Sequence, residues 1–290
     1  MKKNTKIGVA LAGGGLQGFS HIGAIRALEE LGIDISYISG TSTGSLMASL
    51  YAMGFTTYEI ESILKNDYKK ILKLSKRKIL KLISNYLRFK ETRVEGIIDG
   101  KIIEDLIDSQ AKIKNIDNIS NIKNKKLAIA TVDTKSMKEC IFVSNKLNRK
   151  DENIDYIENI NVGKAVRASM AFPAIFTTTS YQNYNFIDGG TTDNLPVQVL
   201  KDMGAEKVIA IGFDLSKYKP AHNLEGVIIR ALDIFSSKDV RNAQKIADVS
   251  VEIYNANTSL LKMDEVELTI KNGYDTVMQK KEEIKKILNF

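Results

Sequence analysis

Two stretches near the start of the chain repeat the same order of features: an apolar run, a tight turn with glycines, and a helical pattern. The first occupies residues 6–30, with glycines at 13–15 and 18, and the second occupies residues 35–50, with the turn at Gly40–Gly44. A strand, a sharp turn and a helix in succession form the repeating unit of a parallel sheet with helical crossovers. The chain is therefore predicted to be an α/β protein.

The second turn carries Ser42 in a G-x-S-x-G pattern, together with Gly40, Thr41, Thr43 and Gly44. A serine on a tight strand-to-helix turn points its Oγ away from the backbone, and the helix N-terminus adds positive potential. The flanking glycines leave room for the strand and the helix to pack closely. Ser42 is therefore a candidate nucleophile, although an ordinary turn is the simpler reading of the five residues alone.

The first turn is a candidate anion site because consecutive backbone N–H groups are exposed where a helix begins. It consists of Gly13, Gly14, Gly15, Leu16, Gln17 and Gly18. Its glycines also fit the dinucleotide pattern G-x-G-x-x-G, which requires an acidic residue at the end of the second strand. Asp34 stands at the start of that strand instead. The placement argues against a nucleotide cofactor and favours an oxyanion as the bound anion, with the N–H groups of Gly14, Gly15, Leu16 and Thr43 as donors.

A nucleophilic serine needs a base, and three residues are candidates for this role. His21 follows the first turn at the start of a helix, which is typical of a structural histidine, and His222 lies in a loop-like stretch. Nothing local brings either of them to Ser42 with an orienting carboxylate, as a triad requires. Asp188 ends an apolar strand and precedes Gly189 and Gly190, so its carboxylate could approach a neighbouring backbone closely. A turn aspartate is the alternative interpretation.

In this order along the chain, the glycine turn 13–18, the Ser42 turn and Asp188-Gly189-Gly190 resemble the motifs of the patatin-like phospholipases. The segment 168–176 resembles the Ala-Ser-x-Ala-x-Pro-x-x-Phe segment of that family, and Asn194 with Pro196 matches its Asn-x-Pro. The resemblance spans about residues 6–215. It implies a Ser–Asp dyad with Ser42 as nucleophile and Asp188 as base, an oxyanion hole at Gly13–Gly18, and a structural role for His21.

The resemblance also implies a fold and an activity. The fold is a three-layer α/β/α sandwich around a mainly parallel sheet, and the activity is cleavage of fatty-acyl esters of phospholipids or lysophospholipids without a cofactor. Gln17 departs from the family, which usually has Arg or Lys at this position, so a positive charge near the oxyanion is missing. Two alternatives stay open: a carboxylesterase or thioesterase of the same mechanism, and a lipid-binding relative in which Gln17 makes catalysis weak.

We predict one domain over residues 1–290. Its parts are a motif-bearing core at 6–215, a basic helical insertion at about 60–111 and a C-terminal helical part at 226–290. After the second turn, strands are predicted at 126–133, 139–144, 184–187 and 207–213. Helices are predicted at 162–170, 196–203, 226–250 and 275–290.

The segment 65–90 contains ten lysines and arginines and one acidic residue, Asp67, whereas the whole chain has a formal net charge of +7. Its apolar residues recur at near-helical spacing. Such a helix can lie on an anionic membrane, or it can pack its apolar face on the core and leave its charges in solvent. Nucleic acid is disfavoured because the rest of the chain is not basic and no binding fold is recognisable.

The remaining composition excludes several classes of protein. No uncharged apolar run reaches the roughly 18 residues of a transmembrane helix. The basic N-terminus runs directly into the first glycine turn, so a cleaved signal peptide is not expected. A single cysteine, Cys140, allows no internal disulfide, and two histidines offer no zinc site. These features predict a cytoplasmic protein without a metal.

Overall fold

The computed structural model describes residues 5–66, 96–147, 149, 151–214, 224–255 and 265–289. Most of the basic segment 65–90 and the candidate base His222 lie outside the described residues. The strands are β1 Ile7–Leu11, β2 Ile35–Thr41, β3 Gly96–Ile98, β4 Lys126–Asp133, β5 Glu139–Val143, β6 Ile154–Ile157, β7 Ala174–Phe176, β8 Thr179–Tyr181, β9 Tyr184–Asp188, β10 Lys207–Phe213 and β11 Val249–Ile253.

The helices alternate with these strands as the sequence pattern predicts. They are α1 Ser20–Glu30, α2 Thr43–Ala52, α3 at 57–66, α4 Lys101–Ile113, α5 Val162–Ser169, α6 Val197–Asp202, α7 Leu224–Ile246, α8 Val266–Gln279 and α9 Lys281–Leu288. Short 3-10 turns occupy Gly15–Phe19, Ile119–Asn121 and Gly189–Thr191. Helix α1 packs most extensively on α8, α4 packs on α5, and α6 covers β1 and β10.

Five parallel strands form the centre of the main sheet, in the order β11-β10-β1-β2-β4. Strand β5 continues the sheet antiparallel to β4, and β6 pairs parallel to β5. Helices cover both faces, so the predicted α/β/α sandwich with a mainly parallel sheet is confirmed. The central strands β1 and β10 are buried almost throughout, as expected of parallel strands covered on both sides.

The alignment of β9 explains how two distant parts of the chain meet. Strand β4 is paired with β2 up to Thr41, which lies opposite Ala130. The next residue of β4, Thr131, is paired with Asp188 at the end of the antiparallel strand β9. Strands β2 and β9 therefore approach each other end to end along the same edge of β4. The residues that follow Thr41 and the side chain of Asp188 are placed together by this register.

The structure differs from the sequence prediction at the C-terminal end. The predicted helix 226–250 ends at Ile246, and its last residues belong instead to β11, Val249–Ile253, which pairs with β10. The predicted helix 275–290 is two helices, α8 and α9, which meet at Lys280. Strand β11 is at the sheet edge with alternate residues exposed, so its apolar signal is weak. Within the part of the chain that the structure describes, no helix is both long and apolar enough to cross a membrane.

Candidate active site

Ser42 occupies the turn between β2 and α2 in a conformation that few non-glycine residues adopt. Its φ is 53° and its ψ is −124°, which strains the backbone and turns the side chain outward. A Cβ on Gly40 would lie 2.3 Å from the carbonyl oxygen of Gly44, and a Cβ on Gly44 would lie 2.3 Å from that of Leu11. Only glycine fits at these two positions, as the G-x-S-x-G pattern predicts. The Ser42 side chain remains partly accessible.

Asp188 is buried beside Ser42, with 2% of its surface exposed. Its Oδ1 accepts a hydrogen bond from the N–H of Gly190 at 2.8 Å. Burial raises the pKa of Asp188 to about 6, against the opposing effects of the Ser42 hydroxyl and the Gly190 N–H. Its Oδ2 has no full hydrogen bond among the described residues. The Ser42 hydroxyl is therefore close to the Asp188 carboxyl, but the two groups do not form a well-aligned hydrogen bond. Hydrogen bonds between catalytic groups are often long or poorly aligned when no substrate is bound.

The first glycine turn lies directly against Ser42. A Cβ on Gly13 would be 3.0 Å from the Cβ of Ser42 and 2.6 Å from Oδ1 of Asn194. Among the described residues, the N–H groups of Gly14, Gly15 and Leu16 have no partner. Those of Gly13 and Gln17 are already engaged, the first by Asn194 and the second by the carbonyl of Gly14. The N–H of Thr43, the fourth predicted donor, also has no partner among the described residues, so it stays a candidate beside the three donors of the glycine turn.

Two further glycines of the predicted motifs, Gly18 and Gly189, allow close packing of the backbone, whereas Gln17 has an unpaired polar atom. Gly18 lies against Thr43, because a Cβ there would be 2.5 Å from Thr43 Oγ1. Gly189 lies against β4, where a Cβ would be 2.4 Å from the carbonyl oxygen of Ala130. Gln17 has a buried Oε1 with no hydrogen-bond partner in the described part of the chain.

His21 has the structural role that the resemblance implies. It is fully buried, and its Nε2 makes a 2.8 Å hydrogen bond with the carbonyl oxygen of Ala12. Burial lowers the pKa of His21 to about 4, so the ring is neutral at physiological pH. Its ring packs against Phe213 with centroids 5.1 Å apart. This hydrogen bond and this packing fix the histidine between α1 and the sheet.

Two further residues support the site, although the sequence motifs gave no role for them. The hydroxyl of Ser169 accepts the N–H of Ser42 at 2.9 Å and donates to the carbonyl of Ala130 at 2.7 Å. The side chain of Asn194 accepts the N–H of Gly13 at 3.1 Å and donates to its carbonyl at 3.3 Å. Ser169 lies in the segment 168–176 and Asn194 in the Asn-x-Pro match, and membership of these motifs was the only indication in the sequence that they matter.

A pair of half-buried acids links the segment after Asp188 to β5. Glu139 on β5 and Asp193 interact through their carboxyl groups, and burial raises the pKa of both. The N–H of Leu195 donates to the Asp193 carboxyl, which opposes the rise in the pKa of Asp193. The Asp193 carbonyl also accepts the hydroxyl of Thr41 at 2.7 Å. These contacts connect the end of β2 to the segment that follows Asp188.

The sequence of the chain is similar to a known protein family and to several known proteins. The family model described as "Patatin-like phospholipase" matches residues 9–201. Lysophospholipase NTE1 of Meyerozyma guilliermondii is 28% identical over 208 residues, which is 72% of this chain and 12% of that protein. The chain thus spans about an eighth of the length of such curated relatives. The uncharacterized protein YqhO of Bacillus subtilis is 26% identical over 269 residues and is similar in extent, with 89% of this chain and 88% of that protein covered.

Solved structures with similar folds have little sequence identity to the chain. VipD from Legionella pneumophila aligns with a TM-score of 0.52 at 15% identity, over 97% of this chain and 67% of that one. Human GIVD cytosolic phospholipase A2, in complex with methyl gamma-linolenyl fluorophosphonate, aligns with a TM-score of 0.51 at 11% identity, over 99% and 58% of the two chains. At these identities the likeness concerns the fold alone.

Proposed function

Because the chain belongs to the patatin-like phospholipase family, we propose that it hydrolyses fatty-acyl esters of phospholipids or lysophospholipids, with Ser42 as nucleophile and Asp188 as base. The observation that carries the proposal is the position of the Ser42 side chain. It stands on a strained turn, beside a buried carboxyl and next to Gly13, the start of a glycine turn whose following N–H groups have no partner among the described residues. A nucleophile, a base and oxyanion donors are the three parts that acyl transfer requires.

The buried carboxyl suits the role of a base. With a pKa of about 6, Asp188 is largely ionised at neutral pH and is a stronger base than a solvated aspartate. Asp188 accepts the proton of Ser42 as Oγ forms a bond to the ester carbonyl carbon. The carbonyl oxygen becomes negative and accepts hydrogen bonds from the N–H groups of Gly14, Gly15 and Leu16.

The intermediate then collapses in two stages. The bond to the leaving alcohol breaks, and the alcohol takes the proton held by Asp188, which leaves an acyl group on Ser42. Water next gives a proton to Asp188 and attacks the acyl carbon. The fatty acid leaves as Ser42 Oγ regains that proton, so Asp188 ends in its starting state.

The lipid substrate class rests on the family and on the relatives' names rather than on a ligand. The NTE1 relatives are named lysophospholipases, and a protein with a similar fold is named a phospholipase A2. A lipid or lysolipid is therefore the proposed substrate. The contact of segment 65–90 with an anionic membrane stays a prediction, because residues 67–95 lie outside the described part.

The test is hydrolysis by the purified chain of four substrates: lysophosphatidylcholine micelles, phosphatidylcholine vesicles, p-nitrophenyl butyrate and palmitoyl-CoA. We expect fatty-acid release from at least one phospholipid, and we expect Ser42→Ala to lower it by roughly 10³-fold or more. Ser49→Ala is the matched control. It removes a buried serine hydroxyl from the same helix, α2, where that hydroxyl has no partner among the described residues, so activity should be retained.

The alternatives give different outcomes in the same assay. Turnover of p-nitrophenyl butyrate or palmitoyl-CoA alone would replace the phospholipase proposal with an esterase or a thioesterase of the same mechanism. Lysophosphatidylcholine binding without turnover of any substrate would indicate a lipid-binding relative, in which Gln17 is the first residue to restore to Arg. Full activity in Ser42→Ala would reject the proposed mechanism.

A further inference from the structure

The segment Asp188–Asn194 connects the proposed base to the end of β2 and to the first residue of the glycine turn. It begins with the proposed base, and the N–H groups of Thr192 and Asp193 both donate to the carbonyl of Gly189, which closes the segment into a compact turn. Asp193 then accepts the hydroxyl of Thr41, the residue before Ser42. The segment is thereby fixed to the end of β2 before it reaches the glycine loop.

Asn194 makes the last contact, with Gly13. The N–H of Gly13 is shared between the backbone carbonyl of Asn194 at 3.2 Å and its side-chain Oδ1 at 3.1 Å. The side-chain Nδ2 returns a hydrogen bond to the carbonyl of Gly13 at 3.3 Å. One amide therefore satisfies both the donor and the acceptor of a single glycine. A carboxylate could only accept, and an apolar side chain could do neither.

Gly13 is the residue whose position fixes the oxyanion donors relative to the nucleophile. A Cβ on Gly13 would lie 2.6 Å from Asn194 and 3.0 Å from the Cβ of Ser42, so Gly13 is packed between the two side chains. The unpaired N–H groups begin at the next residue, Gly14. A small displacement of Gly13 would move those donors away from the oxygen that becomes negative, and hydrogen bonds to a developing charge are sensitive to such misplacement.

We propose that Asn194 is a positioning residue that holds the glycine loop in register with Ser42 and so stabilises the transition state rather than the bound substrate. The inference rests on the proposed acyl-hydrolase function. It predicts a lower kcat with little change in KM when the amide is removed. It also predicts that a group with one donor and one acceptor in the same plane can replace the amide.

The test compares Asn194→Ala and Asn194→Asp with the wild type, using p-nitrophenyl butyrate hydrolysis and the rate of labelling by an alkyl fluorophosphonate. We expect Asn194→Ala to lower kcat by roughly tenfold to a hundredfold while KM changes by less than about threefold. Labelling should slow in proportion, because it uses the same nucleophile and the same oxyanion donors.

The pH dependence of Asn194→Asp distinguishes a positioning role from a merely structural one. An ionised Asp at this position only accepts, but a protonated Asp has one O–H donor and one carbonyl acceptor, like the amide. The neighbouring Asp188 carboxyl raises the pKa of a carboxyl at position 194 above its usual range, because two like charges at close distance disfavour ionisation. The activity of Asn194→Asp relative to wild type should therefore rise as the pH falls from about 8 to about 5, whereas the ratio for Asn194→Ala stays flat. The pH dependence of Asn194→Asp relative to the wild type can be measured even if Asn194→Ala fails to fold.

Asn118→Ala and Asn118→Asp are the matched controls. Asn118 makes comparable side-chain hydrogen bonds in a turn ahead of β4, at the opposite end of the sheet, so both variants should keep wild-type kinetics. Two results with an active wild type would overturn this inference but leave the proposed function intact. One is an unchanged kcat in Asn194→Ala. The other is that the two Asn194 variants have equal activities relative to wild type at every pH. A wild type that is inert toward both reagents would overturn the proposed function as well.

Discussion

The backbone N–H of Ser42 donates to the hydroxyl of Ser169, at 2.9 Å, and that hydroxyl donates in turn to the carbonyl of Ala130 on β4. Ser169 is fully buried at the end of α5. It therefore links the strained turn to the central sheet through a single side chain. The strain at Ser42 persists because its surroundings fix it in this way.

Ser169→Ala should lower both activity and stability. The change leaves the N–H of Ser42 and the carbonyl of Ala130 without their partner, which costs about 1–3 kcal/mol for such buried groups. We expect kcat/KM for p-nitrophenyl butyrate to fall roughly tenfold or more as the turn relaxes.

Ser144→Ala is the control for this prediction. Ser144 is also buried, and its hydroxyl accepts the N–H of Leu127 at 2.8 Å where β4 begins, at the other end of the strand. Thermal melts should show similar losses of stability for the two variants, with activity reduced only in Ser169→Ala. Equal activity in both variants would mean that the hydrogen bonds of Ser169 do not hold the Ser42 turn in its active conformation.

Gly14→Ala should disturb the glycine loop by collision with Phe213. An added Cβ would lie 2.4 Å from the ring of Phe213, which cannot withdraw freely because it packs on His21. Overpacking of this kind costs about 1–3 kcal/mol and would shift the loop. We expect labelling by the fluorophosphonate to slow, and the double variant Gly14→Ala/Phe213→Leu to recover part of the rate. Gly212→Ala, whose Cβ would meet only ordinary contacts from 3.8 Å, should react like the wild type.

The pH dependence of kcat/KM should report Asp188. A base must be ionised to accept the Ser42 proton, so activity should rise with pH through a single titration near the raised pKa of Asp188, about 6. Glu139→Gln and Asp193→Asn provide the controls, because these two variants remove the nearby carboxyls whose pKa values burial also raises. The same titration should remain in both variants. A midpoint near 4, or one that moves in either variant, would assign the titration to another group.

Asp188→Asn should stabilise the protein while it impairs the reaction. The folded state raises the pKa of this acid, so the protonated carboxyl is favoured on folding, and ionisation destabilises the fold as pH rises from about 4 to about 6. Above about pH 6 the penalty is complete, at about 1–3 kcal/mol. Urea unfolding should therefore show Asp188→Asn more stable than wild type at neutral pH, with the difference shrinking at lower pH. A variant less stable at neutral pH would mean that ionised Asp188 supports the fold.

The amino-acid sequence predicts those elements of the fold that depend on residues close together in the chain. Strands β4 and β10 match their predicted ranges because each is a continuous apolar run between polar turns. The helix α1 and the two glycine-bearing turns were also predicted, since glycine and serine patterns act over a few residues. Strand β11 was missed because its short alternating sequence continues from a helical pattern, and it becomes a strand only by pairing with β10.

The site is less visible in the sequence because it is assembled from distant segments. Ser42 and Asp188 meet through the register of β2 and β9 along β4, and no local pattern encodes that register. The resemblance to a family supplied their pairing instead. The contacts of Ser169 with Ser42 and of Asn194 with Gly13 join residues more than a hundred positions apart, so residue type alone could not assign them.

The nucleophile can be identified directly by locating the covalent adduct of an alkyl fluorophosphonate with peptide mass spectrometry. We expect one adduct, on Ser42, that is absent from Ser42→Ala and forms more slowly in Asp188→Asn, while Ser49→Ala is labelled like the wild type. An adduct on another residue, or labelling of Ser42→Ala at the wild-type rate, would contradict the assignment of Ser42 as the nucleophile.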